Sequence, residues 1–195
     1  MHNTYEYKID GYNFSCNKDE LNYELKKINF YYNMNKNSPV MTIIVCDDKN
    51  LEKQFTTEIL TMLNEFKIFE LKDRNDIITF NKSLKNNESL LITNLKEFRM
   101  YCDKLYDNNG AEHLWMWMFN FGRDFFFNEY NARIILELDD EEYTNLVLWA
   151  KDFQEYCKLK INLNSYYKCR ELDGISLDTY LINKNRENPK LVKKL

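Results

Sequence analysis

The segment Met41-Thr42-Ile43-Ile44-Val45-Cys46 is apolar at nearly every position and lacks the alternation of a strand with one wet face. A short run of this kind suits a strand buried on both faces. Such strands belong to parallel sheets with helices on either side. The residues that follow keep to that plan. Leu51, Phe55, Ile59, Met62 and Leu63 recur at helical spacing. Lys67 to Leu71 reads as a second strand, Ile77, Phe80 and Leu84 as a short helix, and Ser89 to Asn94 as a third strand. A helical zone from Lys96 to Glu129, broken near Asp107 to Gly110, leads to a fourth strand at Arg133 to Leu138. Glu141 to Tyr156 is helical and Leu159 to Leu163 is a fifth strand. Strand–helix alternation with short, right-handed connections predicts an α/β fold, a three-layer α/β/α sandwich around a mostly parallel five-stranded sheet.

Two polar stretches divide the chain, Asn33 to Pro39 and Leu172 to Ser176. They predict an N-terminal hairpin and helix appendage over 1–38, the α/β domain over 39–164 and a C-terminal tail over 165–195. In the appendage, Tyr5 to Cys16 reads as a hairpin about Gly11. Asn17 followed by Glu20 is an Asn-led capping box, and Leu21, Leu25 and Ile28 give the next helix one apolar face. The end of the chain, Asn183 to Leu195, is polar and basic and contains Pro189; it either frays or continues into a partner.

Composition narrows the function. With 44% hydrophobic residues, 13 Phe, 14 Tyr and 3 Trp, the 195 residues can fill a sizeable core. Only 4 glycines are present, so glycine-rich phosphate loops are scarce from the outset. A net charge of -4 argues against a nucleic acid or an anionic membrane as partner. No apolar stretch approaches the roughly 20 residues of a membrane span. Met1 to Asp10 carries no signal-peptide core, so a cytoplasmic location is expected. Five cysteines without a CxxC and two histidines predict neither disulfides nor a metal site.

In open α/β sheets, ligands bind beyond the carboxyl ends of the strands. After the first strand comes Cys46-Asp47-Asp48-Lys49-Asn50, which has none of the Gly, Lys and Ser/Thr pattern of a phosphate loop. After the third comes Asn94-Leu95-Lys96-Glu97, where an NTPase would carry an acidic pair. GxGxxG, GxSxG and a Cys–His pairing are all missing. No cofactor and no catalytic residue is therefore assigned. Two further readings stay open. Asp47 and Asp48 could join Asp139 and Asp140 in a divergent metal-dependent hydrolase if the four acids converged, although Asp139-Asp140 also suits the opening of a helix. The pair Asp47-Asp48 also resembles the acidic pocket of a response-regulator receiver. Asn94 would stand where the phosphorylated aspartate belongs, which makes the chain a pseudo-receiver on that reading.

A more extensive resemblance runs over roughly 39–164. Asn120, Arg123 and Asp124 match an LN-x-x-RD element, and Ala150, Asp152 and Phe153 match an A-P-D-F element with Lys151 in place of the proline. The apolar strand Arg133 to Leu138 lies between them. In these features the chain resembles the inactive STAND modules of bacteria, degenerate P-loop-type domains of conflict and signalling proteins. That resemblance implies a regulatory or scaffolding protein-interaction module without ATP hydrolysis, of the kind used in antiphage defence. No repeat helices of the kind often fused to such modules follow. On the residues themselves, Arg123 with Asp124 reads as an ion pair or cap, and Asp152 as a cap.

The aromatic zone supplies the expected interface. Trp115, Phe119 and Phe126 fall close to one helical stripe, and Trp117, Phe121 and Phe125 on another. A sheet covers one stripe only, so the other needs the N-terminal helix or a second molecule. Trp115, Trp117, Phe121 and Phe125 are the candidate partner-binding residues, for another protein or for self-association.

Overall fold

A computed structural model describes residues 4–73, 75–76, 88–105, 119–120 and 122–187, the side chains of 102–105, 125, 149, 185 and 187 excepted. In chain order the elements open with strands β1 (Thr4–Ile9) and β2 (Tyr12–Asn17), helix α1 (Lys18–Met34), strand β3 (Val40–Val45) and helix α2 (Lys49–Met62). Strands β4 (Lys67–Glu70) and β5 (Ser89–Thr93), helix α3 (Leu95–Leu105) and strand β6 (Arg133–Leu138) follow. Helices α4 (Asp140–Trp149) and α5 (Lys151–Gln154), strand β7 (Cys157–Asn162), the short strands β8 (Lys168–Cys169) and β9 (Ile175–Ser176), and helix α6 (Leu177–Glu187) complete the described chain.

β3 and β6 are buried at every residue, as their unbroken apolar runs require. They form the middle of a five-stranded, all-parallel sheet in the order β4-β5-β6-β3-β7. Alternate side chains feed two cores. Met41, Ile43 and Val45 of β3, with Ile134, Leu136 and Leu138 of β6, pack against Phe98, Phe119, Phe126, Leu146 and Phe153. Ile44, Leu91, Ile135 and Ile161 face the other way, onto Leu21, Leu25 and Ile28 of α1 and Leu51, Phe55 and Ile59 of α2. The result is the α/β/α sandwich expected from the sequence, consistent with a P-loop-like three-layer fold. The pseudo-receiver reading fails on topology. A receiver sheet places its first strand between the second and third, whereas here the first strand of the sheet, β3, lies between the fourth and fifth.

The described parts of the two flanks, 4–38 and 165–187, meet. β2 pairs with β8 and β8 with β9, giving a four-stranded antiparallel sheet β1-β2-β8-β9. Asp10 and Gly11 both have positive φ (52° and 88°), the signature of a two-residue hairpin turn that a following right-twisted pair favours. α6 lies across the hairpin. Tyr180 meets Tyr12 and Phe14 at 5.9 and 5.5 Å between ring centroids, and Lys184 pairs with Asp10 at 2.5 Å. Residues 165–187, expected as part of a tail, are thus folded against residues 4–17.

Other differences are local. Asn17 caps α1 by accepting from the Asp19 amide, two residues on, rather than through Glu20. The expected helix from Glu141 to Tyr156 is two helices, because Ala150 leaves the helical region (φ -125°, ψ 48°). The expected helical zone is helical over Leu95–Leu105 and ends in a π-helical turn, Phe125–Glu129. The short helix expected at Ile77 to Leu84 lies outside the described residues. Among the described residues, no helix is long and apolar enough to cross a membrane.

Candidate functional site

The sheet order defines where a ligand would enter. From β3 the chain crosses on one face to the far edge at β4. From β6 it crosses β3 on the other face to reach β7. Between β3 and β6 the connections therefore part, and the crevice beyond their carboxyl ends is the topological switch point. Its walls are Asp47 and Asp48 after β3, Asp139 and Asp140 after β6, and Asn162 to Tyr167 after β7.

The link from β3 to α2 is only Cys46, Asp47 and Asp48. A helix N-terminus offers free amides and the positive end of its dipole to an anion. Here the Asp48 carboxylate takes that place, accepting from the Asn50 amide at 2.9 Å. Its other oxygen accepts from the Tyr167 hydroxyl at 2.6 Å, and both residues are buried. Burial, followed by the bond to Asp48, pushes the Tyr167 phenol far above its usual range, so it remains a donor.

Asp47 is clasped at two points by fully buried Asn164. The Asp47 amide donates to Asn164 Oδ1 at 3.0 Å, and Asn164 Nδ2 donates to the Asp47 carboxylate. Burial pushes Asp47 up to about 6 despite that hydrogen bond, with the charges of Asp139 and Asp140 adding to the rise. Across the crevice, Asp139 and Glu142 form a reciprocal capping box at the start of α4, with bonds of 2.8 and 3.0 Å. Lys96 stands 3.6 Å from Asp139. Asp140 is held up by burial and by Asp178 and Asp139.

The four acids of the hydrolase reading do come to the same end of the sheet. Three of them are engaged otherwise: Asp47 by Asn164, Asp48 by α2 and Tyr167, and Asp139 by α4. Among the described residues, no group of three or more His, Cys, Asp or Glu is placed to hold a metal ion.

The motif residues Asn120, Arg123 and Asp152 come together elsewhere, on the face of α5. Asn120 Oδ1 accepts from the Phe153 amide at 3.0 Å, which caps α5. Arg123 donates to the Asn120 carbonyl at 2.5 Å and lies 3.6 Å from Asp152. Asp124 accepts from Asn128 at 3.1 Å on the surface. The two motif elements thus form one clasp, and it holds Phe153 against Phe119, Phe126 and Phe127 at 5.1, 6.4 and 5.9 Å. Gly122 permits this packing, since a Cβ there would stand 2.9 Å from the Phe126 ring. Of the candidate partner-binding residues, Trp115, Trp117 and Phe121 lie outside the described residues. Phe125 is described in its backbone alone.

No family model matches the sequence, and no curated protein matches it. Solved structures of RuvB from Thermotoga maritima are similar in fold. A point variant shares 13% identity at a TM-score of 0.46, over 77% of this chain and 47% of that one. A second, the RuvB Holliday junction branch migration motor, shares 12% at 0.44, over 77% and 46%. The chain spans about half the length of these proteins.

Sequence reasoning passed over Tyr167 and Asn164, which lay in and beside the supposed tail. It also passed over Glu137 and Thr56, a buried pair behind the crevice. Glu137 carried a visible signal, a carboxylate inside an otherwise apolar strand.

Proposed function

We propose that this chain is a non-catalytic regulatory or scaffolding module, with a P-loop-like sheet whose ligand crevice is closed by its own side chains. The observation that carries the reading is the double engagement of Asp48. One carboxylate caps α2 where a phosphate would bind, and Tyr167 locks it there. A nucleotide phosphate would have to displace a buried, hydrogen-bonded anion and then face Asp47 and Asp139. Displacing that anion costs more than a phosphate contact there returns.

The module acts through protein contact. Phe119 and Phe126, from the first aromatic stripe, are spent in the core against Phe153. The second stripe of the sequence, Trp117, Phe121 and Phe125, together with Trp115, is assigned to another protein or a second copy, where aromatic anchors contribute most. The resemblance to inactive STAND modules makes antiphage defence or signalling the setting of this reading. Sedimentation velocity of the wild type and of Trp117→Glu tests the contact: a concentration-dependent association in the wild type, lost in a folded variant, is the expected result. A wild type that stays monomeric at high concentration, and a variant that fails to fold, would remove the interface.

A further inference from the structure

Glu137 stands in the middle of the parallel sheet, on β6, and is 4% exposed. Its neighbour across the ladder on β3 is Ile44. Its carboxyl reaches α2, where it is hydrogen-bonded to the Thr56 hydroxyl. That hydroxyl oxygen also lies 2.8 Å from the Glu52 backbone carbonyl, one turn back along the helix. A hydroxyl has a single proton, and a carbonyl oxygen can only accept. The one Thr56 proton is therefore shared between two acceptors, and among the described residues no cation pairs with Glu137, since Lys49 is taken by Glu52; an ionised Glu137 would be a buried charge held by half of one neutral donor, whereas the protonated acid needs no counter-charge.

We propose that Glu137 is held as the protonated acid, and that this proton latches α2 to the sheet. Losing it releases the first turns of α2 and with them the closed β3–α2 junction. Among the described residues, the charged groups facing Glu137 both come from α2: Glu52, and Lys49, which is ion-paired to Glu52 at 2.6 Å. β3 contributes no charge across the ladder. Burial raises the Glu137 carboxyl to about 8 against the Thr56 hydrogen bond, with Glu52 adding to the rise and Lys49 opposing it. The latch is continuous with the crevice. α2 begins beside Asp48, so whatever loosens its first turns also loosens the carboxylate that Tyr167 secures.

The sign follows from linkage. A released Glu137 ionises near the ordinary 4.5, so the latched state holds a proton that the released state lacks. Release is rarest below that value. It grows about tenfold per pH unit above it and levels off once the latched acid itself ionises.

Two measurements on the intact chain test this. Carbon-13 NMR of glutamate-labelled protein reads the Glu137 carboxyl directly and is expected to find it protonated at neutral pH. Amide hydrogen exchange, corrected for its intrinsic pH dependence, is expected to show the opening of residues 50–59 growing about tenfold per unit from pH 5.5 to 7.5, ahead of β3 and β6. In Glu137→Gln, whose amide still donates to Thr56, that opening is expected to lose its pH dependence. A Glu137 carboxyl that titrates in the ordinary glutamate range would overturn the proposal, as would α2 amides that open in step with the central strands. Neither depends on whether the variant folds.

Discussion

Removing one oxygen tests how tightly the crevice is closed. Tyr167→Phe deletes the hydroxyl that donates to Asp48 at 2.6 Å and leaves the ring, which packs 6.2 Å from Tyr7, in place. Asp48 is 4% exposed, so water has little access to the orphaned oxygen. A hydrogen bond to a charged group contributes about 1.5–3 kcal/mol, and the buried partner left behind keeps the loss near the middle of that range. The cap on α2 survives, because the other oxygen still accepts from Asn50. A loss of about 2 kcal/mol is therefore expected in urea denaturation, with an unchanged slope; at about 2 kcal/mol per molar, the midpoint falls by about 1 M. Asp48→Asn keeps a capping oxygen and removes the charge, so the double variant should be less destabilised than the sum of the singles. A loss below about 0.5 kcal/mol in Tyr167→Phe would refute the reasoning, since it would mean that Asp48 is solvated or differently bonded.

Phe153→Ala should cost about 3–5 kcal/mol, because the ring is fully buried among Phe119, Phe126 and Phe127; thermal or urea unfolding reads it. Asn120→Ala should cost about 1 kcal/mol through the lost bond to the first turn of α5, and hydrogen exchange should quicken most at the Phe153 amide. The denaturation midpoint should fall as pH rises from 5 to 8. Asp47 and Glu137 are raised by burial to about 6 and about 8, so the folded state binds more protons than the unfolded one across that window. A midpoint that climbs over the same range would contradict the assigned burial.

Elements whose stabilising pattern is local were legible before any coordinates. β3 and β6 announce themselves because strands covered on both faces must be apolar throughout. The hairpin shows in Gly11, and the structure adds why: Asp10 and Gly11 both take positive φ, which few residue pairs accept. What depends on distant partners was not legible. β8 and β9 are two residues each, too short for any period, and exist because β2 offers its edge. The acids of the crevice were visible, but what each of them does was not. Asn164 and Tyr167 reach Asp47 and Asp48 from more than a hundred positions away. Asn120 and Phe153 show the middle case: the motif residues could be picked out, while the bond joining them across 33 positions could not. The break at Ala150 has no propensity signal at all, since alanine is the best helix former. It reflects the capture of the next turn by Asn120.

The central claim is that the switch-point crevice is already occupied by the chain itself. Titrating magnesium-ATP into nitrogen-15-labelled protein, while following the amides of Asp47, Asp48, Asn50 and Asn164, tests it most directly. The account predicts no saturable shift of these amides up to millimolar nucleotide. A saturable shift centred on them, abolished by Asp48→Asn, would contradict it.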